Sequence, residues 1–169
     1  MNQSVAQLGV SHQRLSLHDA AACTTLASDL VRQARREVLL HTYDLDPRLY
    51  DNTLFIEAMS QFLRQNHRAY GRILLQDSSG IIKTGHRLIE LSRRLSSRLE
   101  LRKTAAEQPT DPQAFLVADG YGYLHRELAS RYEATGDYYD PMRAQALAHL
   151  HTQYWEQAQP DGELRRLHL

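Results

Sequence analysis

The chain predicts an α/β fold, a mixed, mainly parallel sheet flanked by helices in a single domain. Three observations predict it. Helix-like and strand-like periods alternate through residues 20–104, which is the rhythm of crossover connections between parallel strands. A hairpin signal at Asp119-Gly120 then reverses the chain, and that makes the sheet mixed. The length of 169 residues, with 42% hydrophobic and 24% charged residues, suits one folded domain and excludes a disordered or collagen-like chain.

The elements follow in order. Residues 1–15 are polar and weakly patterned and read as a flexible N-terminal arm ahead of a domain over 16–169. Ser16-Leu17-His18-Asp19 has the form of a capping box before a helix over 20–35, where Ala22, Leu26, Leu30 and Val31 share one face. Residues 37–43 are β-rich and read as a strand, and 44–51, with Pro47 and several aspartates, as a loop. Asn52 caps a helix over 53–67 whose apolar stripe is Leu54, Phe55, Ala58, Met59, Phe62 and Leu63. A second strand over 70–76 and a turn at 77–80 lead into a helix over 82–96, with Leu88, Ile89, Leu91 and Leu95 inward. A third strand takes 99–104.

After that the rhythm changes. Two prolines mark 105–112 as a loop, and 114–118 is a short buried strand. Asp119-Gly120 turns the chain, 121–125 returns, and 131–139 is a last strand at an edge. Pro141 opens a final helix to about residue 158, with Leu147, Leu150, Tyr154 and Trp155 facing the sheet. Residues 163–169 add a short terminal turn.

Composition narrows the function classes. Twenty basic residues balance 20 acidic ones, which argues against a generic polyanion binder. Only Lys83 and Lys103 are lysines; the remaining cations are arginines, suited to planar contacts with carboxylate or phosphate, though a GC-rich genome gives the same bias. The lone Cys23 forms no internal disulfide and no cysteine-based zinc site. No apolar run reaches the roughly 20 residues of a membrane span, and residues 1–10 lack the form of a signal peptide. A soluble chain in a reducing, cytoplasmic compartment is expected.

Candidate chemistry collects at the carboxyl ends of the strands, where open α/β sheets gather their ligands. These positions are His41, Tyr43, Asp44 and Asp46; Asp77, Ser78 and Ser79, followed by Lys83, Thr84 and His86; then Asp119, with His125 and Arg126 on the hairpin. They are expected to converge on one pocket. His86-Arg87 at a helix start reads either as an anion-binding or acid–base corner or as a histidine that holds the backbone there. Asp44, Asp46 and Asp77 lack a metal-binding spacing and read as caps, so no metal and no cofactor are expected. His149 and His151 do not face each other on a helix, whereas His151 and Trp155 pack together. Ser78, His86 and Asp119 lack the flanking pattern of a nucleophile elbow. Cys23 reads as a small buried residue. Tyr121, Tyr123, Tyr132, Tyr138 and Tyr139, with Arg126 and Arg131 among them, form either a base-stacking surface or strand-forming sheet cover.

The run Phe115-Leu116-Val117-Ala118-Asp119-Gly120, after three strand–helix units, resembles the core of the phospholipase D superfamily. That family carries histidine, any residue, lysine, four residues and aspartate. With Asp119 as the aspartate, the lysine position holds Ala114 and the histidine position Pro112. The family uses the histidine as nucleophile on phosphorus and the lysine to hold phosphate, and neither alanine nor proline does that. The chain is further similar to an uncharacterised bacterial group of phospholipase D-like domains lacking this motif. The similarity lies in Gly85-His86-Arg87-Leu88, Arg93-Arg94-Leu95, Gly122-Tyr123-Leu124, Tyr154-Trp155-Glu156 and Glu163-Leu164-Arg165-Arg166-Leu167. Some of those relatives carry an N-acetyltransferase domain, for which this chain has no room.

The resemblance implies a non-catalytic binding or adaptor domain for an anionic ligand or a protein partner, with His86, Arg87, Asp119, His125 and Arg126 as the binding corner. Active single-motif members dimerise, so a homodimer is also implied. The alternative is a phosphodiesterase or phosphatase with relocated groups: His86 as nucleophile or acid–base, Asp77 or Asp119 orienting it, and Arg87 or Arg126 on the phosphate. A third reading is a nucleic-acid-binding module in which a local arginine face overrides the zero net charge.

Overall fold

The computed structural model describes residues 5–160, 162 and 164. Strand β1 (Leu15–Leu17) leads to helix α1 (Ala20–Gln33), which starts where the Asp19 carboxylate accepts the Ala22 N–H at 2.7 Å. Ser16 is not part of that cap: it lies in β1, paired with Thr135. Strand β2 (Glu37–Thr42) is followed by the short helix α2 (Pro47–Tyr50), capped by Asp46, and by α3 (Thr53–Gln65), capped by Asn52. Strand β3 (Tyr70–Leu75) leads to α4 (Ser79–Thr84) and α5 (Arg87–Arg94), then to β4 (Leu99–Lys103). The sequence periodicity reads α4 and α5 as one helix over 82–96. Gly85, at φ 76°, breaks it, because that left-handed conformation ends a helix and favours glycine. Strands β5 (Ala114–Ala118), β6 (Gly122–Arg126) and β7 (Ala134–Asp137) precede α6 (Pro141–Gln157).

The strands form one seven-stranded sheet in the order β1-β7-β6-β5-β2-β3-β4. The α/β class and the mixed sheet flanked by helices stand. The joints β2–β3 and β3–β4 are parallel, whereas β2–β5, β5–β6, β6–β7 and β1–β7 are antiparallel. The sheet is therefore not mainly parallel: β5, β6 and β7 already make three antiparallel joints against two parallel ones, because β5 enters beside β2 in the opposite direction, and β1 adds a fourth by joining β7. For the same reason β7 is not an edge: β1 covers its outer side. The stretch read as a loose arm is pinned along the described part. Gly9 donates to the Tyr138 carbonyl, Leu8 to the Gln33 side chain and Gln13 to Asp137. Of the terminal turn expected over 163–169, only Leu164 falls within the described residues.

Alternation along the strands makes two faces. Val38, Leu40, Ile73, Leu116 and Leu124 point to α1 and α3, where Leu26, Leu30, Phe62 and Leu63 complete the main core. Leu39, Phe115 and Val117 point to α6 and meet Ala144 and Leu147. Gly136 lets α1 approach the sheet closely: a Cβ there would stand 2.3 Å from Leu26 Cδ2. The hairpin between β5 and β6 turns through Asp119 and Gly120, at φ 55° and 71°, the positive values that tight hairpin turns need.

Two ends of the sheet follow from the register. At the rim lie the carboxyl ends of β2 and β3 and the start of β5, since His41 pairs with Phe115. At the base lie the starts of β2, β3 and β4 and the β5–β6 turn, since Glu37 pairs with Tyr70, Gly71 with Leu99, and Ala118 with Gly122.

Candidate functional site

The rim is built around the start of β5. Pro112 is exposed there, and its carbonyl accepts the Ala129 N–H at 2.6 Å. Ala114 is buried and pairs directly with Arg126 of β6, so the two side chains share the face toward α1. Arg126 is 1% exposed and is the only lysine or arginine among the described residues that is buried. Its Nη1 donates to the carbonyls of Ala129 (3.0 Å) and Arg131 (3.2 Å). Its guanidinium stands 5.7 Å from the centroid of the Tyr132 ring, and it bonds the Tyr50 hydroxyl. Among the described residues no carboxylate lies within ion-pair distance of it. Burial pushes the Tyr50 hydroxyl up to about 12 despite the nearby cation, and the Cys23 thiol up to about 11. Cys23 donates to the Tyr132 carbonyl at 3.3 Å and is an uncharged, buried thiol at neutral pH.

The opposite face of the rim, toward α6, holds a second polar group of residues. His41 stacks on Phe115 with ring centroids 4.8 Å apart, and its Nε2 is 3.5 Å from Asp111 Oδ2. Neither ring nitrogen of His41 has a hydrogen-bond partner among the described residues. Asp111 is held in place by a reciprocal pair: its N–H donates to Gln76 at 2.9 Å, and Gln76 donates back to its carbonyl at 2.8 Å. Gln113 donates to the Asp111 carboxylate, and Tyr154 also bonds it. Burial drives His41 down to about 4, partly offset by Asp111. Burial, then the neighbouring His41, drives His151 down to about 4 as well. Both imidazoles are neutral at pH 7. His151 stacks on Trp155 at 5.7 Å, as their spacing implied, while His149 is exposed.

The expected binding corner does not assemble as one pocket. His86 uses both ring nitrogens locally. Nδ1 accepts the Leu88 N–H at 3.1 Å, capping α5, and Nε2 donates to the Leu45 carbonyl at 3.1 Å. Burial lowers its pKa, so it is a neutral brace between the α2 loop and α5. Arg87 donates to Asp51, through Nε to the carboxylate at 2.9 Å and through Nη2 to the carbonyl at 3.0 Å. Asp77 is half-buried and accepts the Ser79 N–H, which holds its carboxyl below the usual range. His125 faces α6 and bonds Gln113 at 2.8 Å, whereas Arg126, next to it, faces α1. Burial, then Arg143, lowers the pKa of His125.

Asp119 lies at the base, the full length of β5 away from Ala114. There it accepts the backbone N–H groups of Arg35 (2.8 Å), Arg36 (2.8 Å) and Glu37 (3.0 Å). His86 and Asp119 therefore do not pair. Asp46 caps α2 and accepts the Tyr132 hydroxyl at 2.8 Å, and Asp44 is raised by burial and by the charges of Asp46 and Asp77. No cluster of three metal-ligating side chains occurs among the described residues. The five tyrosines of the supposed stacking surface also separate. Tyr123 is buried, Tyr138 bonds Asp29 and Tyr132 bonds Asp46, leaving Tyr121 and Tyr139 together at the base. Sequence reading missed Asp111 and Tyr154. The signal was the alternation Asp111, Gln113, Phe115, which extends one face of β5 into the preceding loop.

The sheet is mixed, with antiparallel β5 starting beside the carboxyl end of the parallel strand β2, and the fold is like that of phospholipase D family members. The chain is similar in structure to the phospholipase D family member Nuc from Salmonella typhimurium, at a TM-score of 0.65 and 10% identity, over 89% of this chain and 98% of that one. It is similar to phosphatidylserine synthase from Haemophilus influenzae, at a TM-score of 0.62 and 12% identity, over 94% of this chain and 41% of that one. It is also similar to TrmBL2, an archaeal chromatin protein, at a TM-score of 0.63 and 17% identity, over 88% of this chain and 54% of that one. The chain thus spans about half of TrmBL2. At these identities the likeness is one of fold. In sequence, residues 19–167 match the domain of unknown function DUF7931, and the chain belongs to that family. No curated protein matches it in sequence.

Proposed function

We propose that this domain is a non-catalytic phospholipase D-like module that binds an anionic ligand or partner at the rim. The observation that carries the reading is the pair Ala114–Arg126. If Asp119 marks the superfamily aspartate, Ala114 and Pro112 occupy the seats of the phosphate-holding lysine and the nucleophile. A methyl group and a proline ring supply neither. Directly across the strand pair, on the same face, Arg126 retains a buried cation that makes no ion pair among the described residues, the exposed Asp44 reaching it only through space. A buried guanidinium satisfied only by neutral acceptors attracts an anion strongly.

The rival reading, a phosphodiesterase centred on His86, is not supported by the local bonds. Both nitrogens of His86 brace backbone, and neither Asp77 nor Asp119 is among its hydrogen-bond partners. TrmBL2 is described as a chromatin protein with a mode of DNA binding, so the scaffold also serves a binding role. The neutral, buried Cys23 suits a reducing, cytoplasmic setting, and a homodimer belongs to the same reading. No helix among the described residues is long and apolar enough to cross a membrane.

The test is turnover of bis(p-nitrophenyl) phosphate, together with the melting temperature in inorganic phosphate. We expect no hydrolysis above the buffer rate and a rise in Tm with phosphate. Hydrolysis that His86→Ala abolishes would overturn the reading.

A further inference from the structure

We infer that the base of the sheet is a binding surface for single-stranded nucleic acid. This inference does not rest on the rim: the two lie at opposite ends of the strands. Each of the three parallel strands is preceded by arginine, Arg35-Arg36 before β2, Arg68 before β3 and Arg98 before β4. The Tyr70 N–H donates to the Arg36 carbonyl and the Gly71 N–H to the Arg98 carbonyl, so the three starts sit side by side. Neighbouring strands are about 4.8 Å apart, which makes a row of cations roughly 10 Å wide before side-chain reach is added. Arg64 and Arg94 add charge from the last turns of α3 and α5.

Five of these cations are available, whereas Arg98 is half-buried with its guanidinium on the Asn66 carbonyl. Arg35, Arg36, Arg64, Arg68 and Arg94 are exposed and form no ion pair among the described residues. Two of the acids at this end, Asp119 and Asp137, are buried. Asp119 accepts three backbone N–H groups, Asp137 those of Gln13 and Tyr139, and the part-exposed Asp140 that of Arg143, while the exposed Glu100 is paired with Arg102. Glu37 is taken by the Tyr70 hydroxyl, and Arg32 is paired with Asp29. A zero net charge therefore conceals an outward positive end. The C-terminal helix dipole accounts for a cation in the last turn, such as Arg64 or Arg94. It does not account for Arg35, Arg36, Arg68 and Arg98, which lie beyond the helices.

The same end carries aromatic faces. Tyr70, Tyr121 and Tyr139 are exposed here. Tyr121 and Tyr139 have ring centroids 6.1 Å apart, and Arg36 stands 5.9 Å from the Tyr121 centroid. Arg72 stands 5.1 Å from Tyr70. A cleft of about 630 Å³ lined by Val10, Arg32, Arg35, Gln65 and Asn66 adjoins the row. Rings that offer a π-face beside a line of guanidinium groups are how unpaired bases and their phosphates are bound together. A duplex would use the cations and leave the rings idle. An anionic lipid surface is the competing partner, because Val10 and Met142 are also exposed near this end.

The experiment is fluorescence anisotropy of a labelled oligothymidylate of about 20 nucleotides, using the full chain. With the exposed Arg35, Arg36, Arg68 and Arg94 each on a phosphate, the log–log salt slope is about −2.8, so affinity falls about 50-fold between about 50 and 200 mM salt. Arg35→Gln with Arg68→Gln is expected to halve that slope. Tyr121→Ala is expected to weaken binding about tenfold and leave the slope unchanged. Lys83→Gln with Arg131→Gln removes the same charge away from the base and is expected to change neither. Circular dichroism confirms that each variant is folded. The inference is overturned by no binding at about 50 mM salt. Equal loss in the two double variants overturns it too, as does capture by phosphatidylserine-containing vesicles with no oligonucleotide binding. Phosphodiester turnover at the rim would sink the non-catalytic reading and leave this one standing.

Discussion

Asp119 was expected to bind ligand, and its bonds make it a clamp between the hairpin turn and the start of β2. The perturbation that tests this is Asp119→Ala. Its carboxylate satisfies the N–H groups of Arg35, Arg36 and Glu37 at 2.8, 2.8 and 3.0 Å. Each buried donor left without a partner costs about 1–3 kcal/mol. Alanine in the left-handed conformation at φ 55° adds about 1–2 kcal/mol. The residue is 9% exposed, so water reaches part of the gap and the low end of each range applies. The expected cost is therefore about 3–5 kcal/mol. Asp119→Asn separates the two causes, because asparagine accepts positive φ. It keeps one oxygen for Arg36 and Glu37 and turns an amide toward the Arg35 N–H, which costs about 1–3 kcal/mol. The assay is urea unfolding followed by circular dichroism, with m unchanged. An alanine variant within about 0.5 kcal/mol of the parent refutes the clamp.

Acid should destabilise the fold through His41 and His151. Their folded values near 4 lie below the ordinary 6.5, so between these the unfolded chain holds more protons and stability falls as pH drops from about 7 to about 4. Urea midpoints across that range measure it, and His41→Phe should flatten the fall by about half, because one of the two buried imidazoles is gone. His86→Ala removes the α5 cap and the bond to the Leu45 carbonyl and should cost about 1–3 kcal/mol in urea unfolding, with no activity involved. Gly136→Ala places a methyl 2.3 Å from Leu26 Cδ2 and 2.9 Å from the Tyr123 carbonyl, and should lower stability by about 1–3 kcal/mol; an unchanged Tm would mean α1 can shift away.

The long helices and inner strands were legible because burial on one face writes a period into the sequence. Phe55, Met59, Phe62 and Leu63 recur at helical spacing, and Ala114–Ala118 is uniformly apolar because helices cover both sides. Strand β1 was not legible: three residues are too short to show alternation, and only pairing with β7 makes them a strand. The break at Gly85 was hidden because Ile81, Leu88 and Leu91 keep the helical period across it. The site was less legible for a topological reason. Placing Asp119 beside His125 follows from treating every strand end as the same end. But β5 runs antiparallel to β2, so the carboxyl end of β5 is at the base. The reciprocal bonds of Asp111 and Gln76 join residues far apart in sequence, and no local pattern announces them.

The two ends of the sheet differ in what binding would cost. At the rim, the cation is inside. For Arg126 to meet an anion, its guanidinium must exchange the carbonyls of Ala129 and Arg131 for the newcomer, and Pro112 is tied to the same loop through Ala129. A ligand there gains a charge-assisted bond only after displacing two neutral ones and moving that segment. At the base, Arg35 and Arg68 already stand in water with no ion pair to break, so contact costs side-chain entropy and released counterions contribute favourably. The rim therefore suits a small anion that fits the buried cation and can select by shape. The base suits an extended polyanion bound by the sum of weak contacts. Neither kind of binding asks for a nucleophile: the rim draws on the buried Arg126 and the base on the exposed Arg35 and Arg68.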